Sequence, residues 1–350
     1  MKRKQRKKRK ERDGSLSGDR AKFSLEDVKE TYKKKDAWWT VLLVDPVASR
    51  LIVPTANHTN ITPNQLSLFS FALGMVSVYC FFQGHTTALV VGAILYHISF
   101  IIDCMDGKIA RLKGTGSTFG VLLDISLDHI RVVLAAAALT YSQFQLTGDV
   151  VYLYLGFLFL AAYCARHINA LQLYKLRREM RGKLRKAKRK LKRTGEAAGI
   201  VIDIPKETAT GVEQETDKPE EEEDETERDH ETVNTELTQK KKFDLQQEFK
   251  SKFTTYMKIR EFFLNKRIRM HLFSGIEFQM FVFVVAPIFG IIKEAIFFGT
   301  ILLLAFEAAI LYKIWLSTKD FQREQDKIET ATAVIEATLP SEETEAVGNR

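Results

Sequence analysis

Six apolar runs, at residues 65–83, 86–112, 117–141, 149–174, 272–291 and 294–316, restrict what this chain can fold into more than any other feature. Each is close to the ~20 residues that a helix needs to cross a bilayer core. Hydrocarbon offers no partner to a free N–H or C=O, so each run is read as a helix that satisfies its own backbone. Local signals agree. Thr62 can cap the first run and Pro63 suits its first turn. Gly84-His85 and Gly148-Asp149 separate consecutive runs, as turn residues do. The predicted fold class is an all-α integral membrane protein, with six transmembrane helices preceded by an interfacial amphipathic helix.

That preceding helix is residues 36–58, which carry Trp38 and Trp39 and are interrupted by Asp45-Pro46. Paired Trp suits headgroup depth better than a span; an amphipathic helix packed on protein is the alternative. Charge then sets orientation. The net charge is +8, concentrated in the first thirty-five residues and in 175–193. Basic residues also follow the second run (Arg111, Lys113) and resume at Lys313 and Lys319, while loops 84–85, 142–148 and 292–293 hold only Lys293. By the positive-inside rule both termini and the ends of runs two and four are cytoplasmic. Lys and Arg beside apolar spans mark that side of a membrane and an anionic leaflet, and nothing else in the chain points to a nucleic-acid partner. Residues 1–35 are expected as a disordered basic arm, 59–175 as the first four spans, and 176–250 as a charged, largely disordered insertion. Residues 251–318 follow as an amphipathic lead-in with the last two spans, and 319–350 as a polar tail. The basic start has no apolar h-region after it, so no secretory signal is expected. Cys80, Cys104 and Cys164 lie in apolar runs without metal-ligand spacing and read as inert small hydrophobes.

Four carboxylates stand out against this background. Asp103 and Asp106 close the second run, and Asp124 and Asp128 open the third, at spacings that place each pair on one helix face. An acid inside an apolar span is costly and is by default a functional candidate. Four of the same sign repel unless cations sit among them, which points to a metal site. A lone intramembrane Asp would read as a structural hydrogen-bonder, but four with Gly and Arg at set spacing do not. The stretch lacks the alternating D-x-D-x-D ligands of a Ca²⁺ loop, and Gly114-Thr115-Gly116 reads as the turn between spans.

The full pattern is D-x2-D-G-x2-A-R-x8-G-x3-D-x3-D, carried by Asp103, Asp106, Gly107, Ala110, Arg111, Gly120, Asp124 and Asp128. Eight fixed positions match by chance on the order of 10⁻⁹ per start site. The pattern resembles the signature of the CDP-alcohol phosphatidyltransferase family, integral membrane enzymes with a six-helix core, and departs from it at none of the eight. The resemblance covers roughly residues 36–175 and 255–316 and implies a reaction. A hydroxyl acceptor attacks a CDP-alcohol donor, CMP leaves, and Mg²⁺ or Mn²⁺, two ions per site, shields the phosphates and stabilises the leaving group. Carboxylates are suitable hard ligands for such ions. It implies that Asp103, Asp106 and Asp124 bind metal. Asp128 would be both a second-metal ligand and the general base. Gly107, Ala110 and Arg111, with Asp103 and Asn64, would line the nucleotide site. Small Gly107, Ala110 and Gly120 leave room where side chains would intrude, and a guanidinium binds phosphate well. Family resemblance also implies a homodimer and a membrane lipid among the substrates.

A second polar cluster opens the fifth run. Arg267, Arg269 and His271 are candidate contacts to a phosphorylated or polyol acceptor, with Glu277, inside the apolar stretch, orienting it. Arg166 and His167 are alternatives, and Glu307 is a further acid within a span. Within the family the donor is either a lipid or a soluble CDP-alcohol; the G-x-S-x-F-G-x-x-L-D-x-x-x-D texture resembles bacterial and archaeal members, including those making inositol phosphodiesters. A rival class is a transporter or channel using the acids as an ion pathway. It would spread them along the membrane depth, whereas these cluster at one end.

Overall fold

A computed structural model describes residues 22–199, 262–263, 265–269 and 275–338. Helix α1, Leu25–Glu30, is opened by Ser24, whose hydroxyl accepts from the Asp27 N–H while the Asp27 carboxylate accepts from the Ser24 N–H. Asn57 holds the residue before this cap, accepting from the Phe23 N–H at 2.8 Å and donating to its carbonyl at 2.9 Å. The end of the expected disordered arm is thus ordered, because a capping box and a side-chain amide satisfy its backbone. A wide π-helical turn, Thr40–Val44, leads into α2, Asp45–His58. Pro46 follows directly on that turn; a proline inside a helical stretch removes one hydrogen bond and crowds the preceding carbonyls, and the wide turn lies where that crowding falls. Ala48, Ser49, Ile52 and Ala56 are buried, whereas Leu42, Leu43, Val47 and Leu51 stay exposed. This segment therefore offers apolar surface on the side away from the protein.

Helix α3 is Pro63–Gln83, α4 Thr86–Lys113, α5 Thr118–Thr147 and α6 Val151–Ala197. Thr62 and Gln65 form the capping box expected at the start of α3. Gly84, Gly114 and Gly148 end α3, α4 and α5 in the left-handed conformation that favours glycine. Downstream, α7 (Ile276–Met280), a π turn (Phe281–Val285) and α8 (Ala286–Phe289) make one short apolar segment before α9, Ile292–Thr338. All described regular structure is helical. By length and composition α3, α4, α6 and α9 can each cross a membrane. The third expected span coincides with α5, which carries Asp124, Asp128, His129 and Arg131. The fifth coincides with the short apolar segment Ile276–Phe289.

Two other boundaries differ from expectation. Helix α6 continues to Ala197 through the basic stretch, and α9 continues to Thr338 where a polar tail was expected. The cause is packing: Met180, Leu184, Phe321 and Ile328 form a small buried cluster beyond the apolar runs. Most of the basic arm, the acidic part of the insertion and the segment leading to the fifth run lie outside the described residues, as does His271.

The chain divides into two units, one of Met1–Phe157 with Phe263–Gly299 and one of Leu158–Phe262 with Thr300–Arg350. Within the first, α3 packs against both α4 and α5. Small residues permit the approach: Ser77 Oγ donates to the Gly92 carbonyl at 2.7 Å, and Ser70 and Ser99 exchange hydroxyl-to-carbonyl bonds at 2.9 and 2.8 Å. Tyr96, Phe81 and Phe283 stack beside them. Within the second unit, buried Glu307 lies 3.8 Å from Arg166 and 3.5 Å from the Asn169 amide, which supplies the partner the sequence left unnamed.

Candidate active site

The turn at Gly114 brings the end of α4 back beside the start of α5, so both acid pairs meet. Asp103, Asp106 and Asp124 each offer a carboxylate oxygen, and these lie within 4.8 Å of one another. Asp106 is buried, and Asp103 and Asp124 are half-buried. Like charges brought this close in apolar surroundings need a counter-charge, and oxygen-only donors suit a hard divalent cation. The donor set therefore fits the metal that the motif implies. Helix α3 supports it: Ser67 Oγ donates to Asp106, and Ser70 Oγ lies 3.3 Å from Asp103.

Asp128 is held differently. Its carboxylate takes a charge-assisted bond from Arg131, one turn on, and the other guanidinium nitrogen lies 3.7 Å from Asp103. Arg131 is itself buried, with its guanidinium over the Tyr96 ring. Neither Arg131 nor Ser67, Ser70 and Ser99 stands out in the sequence. The usable signals are a cation three residues after Asp128 and the small-residue stripe Ser67, Ser70, Gly74 and Ser77 on α3.

The nucleotide candidates cluster nearby. Among the described residues, the side chain that comes nearest a Cβ placed on Gly107 is the Arg111 guanidinium, at 3.6 Å. Arg111 Nε donates to the Thr31 carbonyl at 2.9 Å, so α1 orients that guanidinium. A Cβ on Gly120 would sit 2.6 Å from Asn64 Oδ1, which makes glycine the condition for Asn64 to reach α5. A Cβ on Gly116 would lie 3.8 Å from that of Ala110, across the turn between α4 and α5.

Of the acceptor candidates, Arg267, Arg269 and Glu277 are among the described residues, in the same unit. Arg267 donates to the Lys33 carbonyl at 3.1 and 3.2 Å and to Asp45 at 3.3 Å, with Tyr32 stacked beneath at 4.4 Å. Asp45 also pairs with Lys108, in the motif, at 2.8 Å, both side chains being buried. The backbone of Arg269 donates to Asp36 at 2.9 Å. Glu277 is buried in α7. Arg267 is thus tied to the motif helix through Asp45, with its guanidinium on Asp45 rather than among the acids.

Fold and site together define a helical chain with four membrane-length apolar helices and a carboxylate cluster fit for a divalent cation. Residues 60–202 match the family model for CDP-alcohol phosphatidyltransferases. This stretch contains the four acids and Arg131 but none of α7 to α9. Over 101 residues the chain is 34% identical to a phosphatidylinositol phosphate synthase of Corynebacterium glutamicum, covering 29% of this chain and 42% of that protein. It is 31% identical over 76 residues to an archaetidylinositol phosphate synthase of Pyrococcus horikoshii, covering 22% and 39%. It is 33% identical over 85 residues to a CDP-diacylglycerol–serine O-phosphatidyltransferase of Helicobacter pylori, covering 24% and 35%. The matched part spans less than half the length of each of these relatives.

Proposed function

We propose that this chain is a membrane-embedded CDP-alcohol phosphatidyltransferase of phospholipid or inositol-phosphodiester synthesis. The observation that carries this reading is the trio Asp103, Asp106 and Asp124 within 4.8 Å, inside the segment that matches the family. Clustering at one end of two helices is what a catalytic site requires and an ion pathway does not.

Asp103, Asp106 and Asp124 would hold a divalent cation, Mg²⁺ or Mn²⁺, with Asp128 contributing to a second. When bound, such ions neutralise pyrophosphate charge and stabilise the leaving CMP. The chain's own residues do the rest. Asp128 accepts the proton of the acceptor hydroxyl; that oxygen bonds to the β-phosphorus, and the anhydride bond breaks with its electron pair on CMP. Arg111 binds phosphate, and Gly107 and Gly120 keep space open for the nucleotide, with Asn64 against Gly120. In this reading all six apolar segments lie in the membrane, with the π turn and α2 at the cytoplasmic interface presenting Leu42, Leu43, Val47 and Leu51 to lipid. The names of the Corynebacterium and Pyrococcus relatives support a CDP-lipid donor and an inositol phosphate acceptor, with Arg267, Arg269, His271 and Glu277 on the acceptor side.

The test is CMP release from purified protein with Mg²⁺ or Mn²⁺, a panel of CDP-alcohols and a panel of acceptors. Acceptor-dependent CMP should appear with at least one pair and vanish in Asp128→Asn, while that variant still elutes as folded protein. Full activity in a well-folded Asp128→Asn would sink the base assignment. The same preparations give the oligomeric state by mass, a homodimer being expected.

A further inference from the structure

Arg131 has no part in the motif, yet the structure invests heavily in it. Its residue surface is 3% exposed, a burial that an Arg tolerates only when paired. An Arg three residues after an Asp is ordinarily a weak pair on a helix surface. Here three helices hold the side chain. The α3 residue Gly74 makes way for its stem, since a Cβ there would lie 2.5 Å from Arg131 Cδ. Nη1 donates to Ser70 Oγ on α3 at 3.0 Å and to Ser99 Oγ on α4 at 2.9 Å. Both hydroxyls have acceptors of their own, Ser99 donating to the Ser70 carbonyl at 2.8 Å and Ser70 having the Ser99 carbonyl at 2.9 Å and Asp103 at 3.3 Å. Their oxygens are therefore turned to the guanidinium as acceptors. Nη2 is left for Asp128, and Nη1 also lies 3.7 Å from Asp103.

The burial is one-sided. The Arg131 side chain is 4% exposed but that of Asp128 is 37%. The carboxylate is gripped from inside the helix bundle and open on the outside, where a substrate hydroxyl could reach it.

We propose that Arg131 is a positioning residue for the transfer reaction. It orients the Asp128 carboxylate beside Asp103 and supplies the site's internal positive charge against its four acids. This rests on the transferase reading given above. The two contributions act in opposite directions. A fixed guanidinium disfavours cation binding at the neighbouring acids, while its planar fork orients the base in a way that no single ammonium reproduces.

The experiment separates them with Arg131→Gln and Arg131→Lys in the full chain. Mn²⁺ binding is titrated by electron paramagnetic resonance without substrate, and kcat and KM are measured for CMP release. Arg131→Gln should bind Mn²⁺ about ten-fold tighter, the effect of one neighbouring charge, and lose about 100-fold in kcat. Arg131→Lys should bind Mn²⁺ as the wild type does and still lose at least about ten-fold in kcat. Unchanged or weaker Mn²⁺ binding in folded Arg131→Gln, or wild-type kcat in Arg131→Lys, overturns the proposal. If Arg131→Gln does not fold, Arg131→Lys and Ser99→Ala decide it. Ser99→Ala removes one Nη1 acceptor and no charge, so it should lower kcat at constant Mn²⁺ affinity, and a wild-type kcat there counts against the proposal. A wild type that releases no CMP from any donor would refute the transferase reading. The substrate-free Mn²⁺ titration would still decide whether Arg131 acts as the site's counter-charge.

Discussion

Replacing Asp45 by alanine should be among the most damaging single changes outside the acid cluster. Asp45 lies where the π turn Thr40–Val44 passes into α2, with its side chain buried. It serves two cations, Lys108 Nζ at 2.8 Å and Arg267 Nη2 at 3.3 Å. Their exposures decide the magnitude. The Arg267 side chain is 32% exposed and keeps its bonds to the Lys33 carbonyl, so its loss is small. The Lys108 side chain is 6% exposed and, among the described residues, would keep the Tyr32 ring, 5.7 Å away. A buried charge stripped of its partner costs about 3–5 kcal/mol, against which a cation–π contact returns about 1 kcal/mol. Asp45→Ala should therefore cost about 2–4 kcal/mol. Adding Lys108→Met removes the stranded charge, so the double variant should be more stable than Asp45→Ala alone by about 2 kcal/mol or more. Unfolding by SDS titration in mixed micelles, followed by fluorescence of the neighbouring Trp38 and Trp39, measures all four corners of the cycle. A cost below about 1 kcal/mol for Asp45→Ala, or a double variant equal to the sum of the singles, would refute the reasoning.

Other outcomes are as definite. Gly74→Ala should lower stability by about 1–3 kcal/mol through the clash with the Arg131 stem, and Ser77→Ala, away from that stem, should leave kcat unchanged. Asp124→Asn should abolish high-affinity Mn²⁺ binding in a substrate-free titration while the protein keeps its elution volume; retained binding would remove Asp124 from the ligand set. The Lys293 ammonium, bonded to Asp149 in the loop before α6, holds that carboxyl below its ordinary value. A depressed acid contributes stability above its unfolded pKa of about 3.9 and loses it as pH falls through the folded value. Lys293→Met should accordingly flatten the stability curve below pH ~4 and leave its slope near neutrality unchanged.

Much of the site is legible in the amino-acid sequence. Apolar run length and turn glycines locate α3, α4 and the start of α6, because helix propagation and its stops are local properties. Spacings of three and four put Asp103 with Asp106, and Asp124 with Asp128, since a helix repeats every 3.6 residues. The packing that sustains the extensions of α6 and α9 is not legible. Their residues are polar by composition, and only the burial of Met180 and Leu184 with Phe321 and Ile328 sustains them as packed helix.

By itself the sequence determined the residue types, the helices that carry them and the end of the bundle where the acids gather. The division of the four acids was a tertiary outcome. Three converge on one point, while Asp128 is claimed by an arginine whose stem needs Gly74 and whose Nη1 is held by two serines from other helices. Arg267, a candidate acceptor contact, likewise pairs with Asp45, far away in sequence. Periodicity is a one-dimensional property that each segment expresses alone. Which charges meet depends on how closely neighbouring helices approach, and that is set by small side chains scattered across several of them.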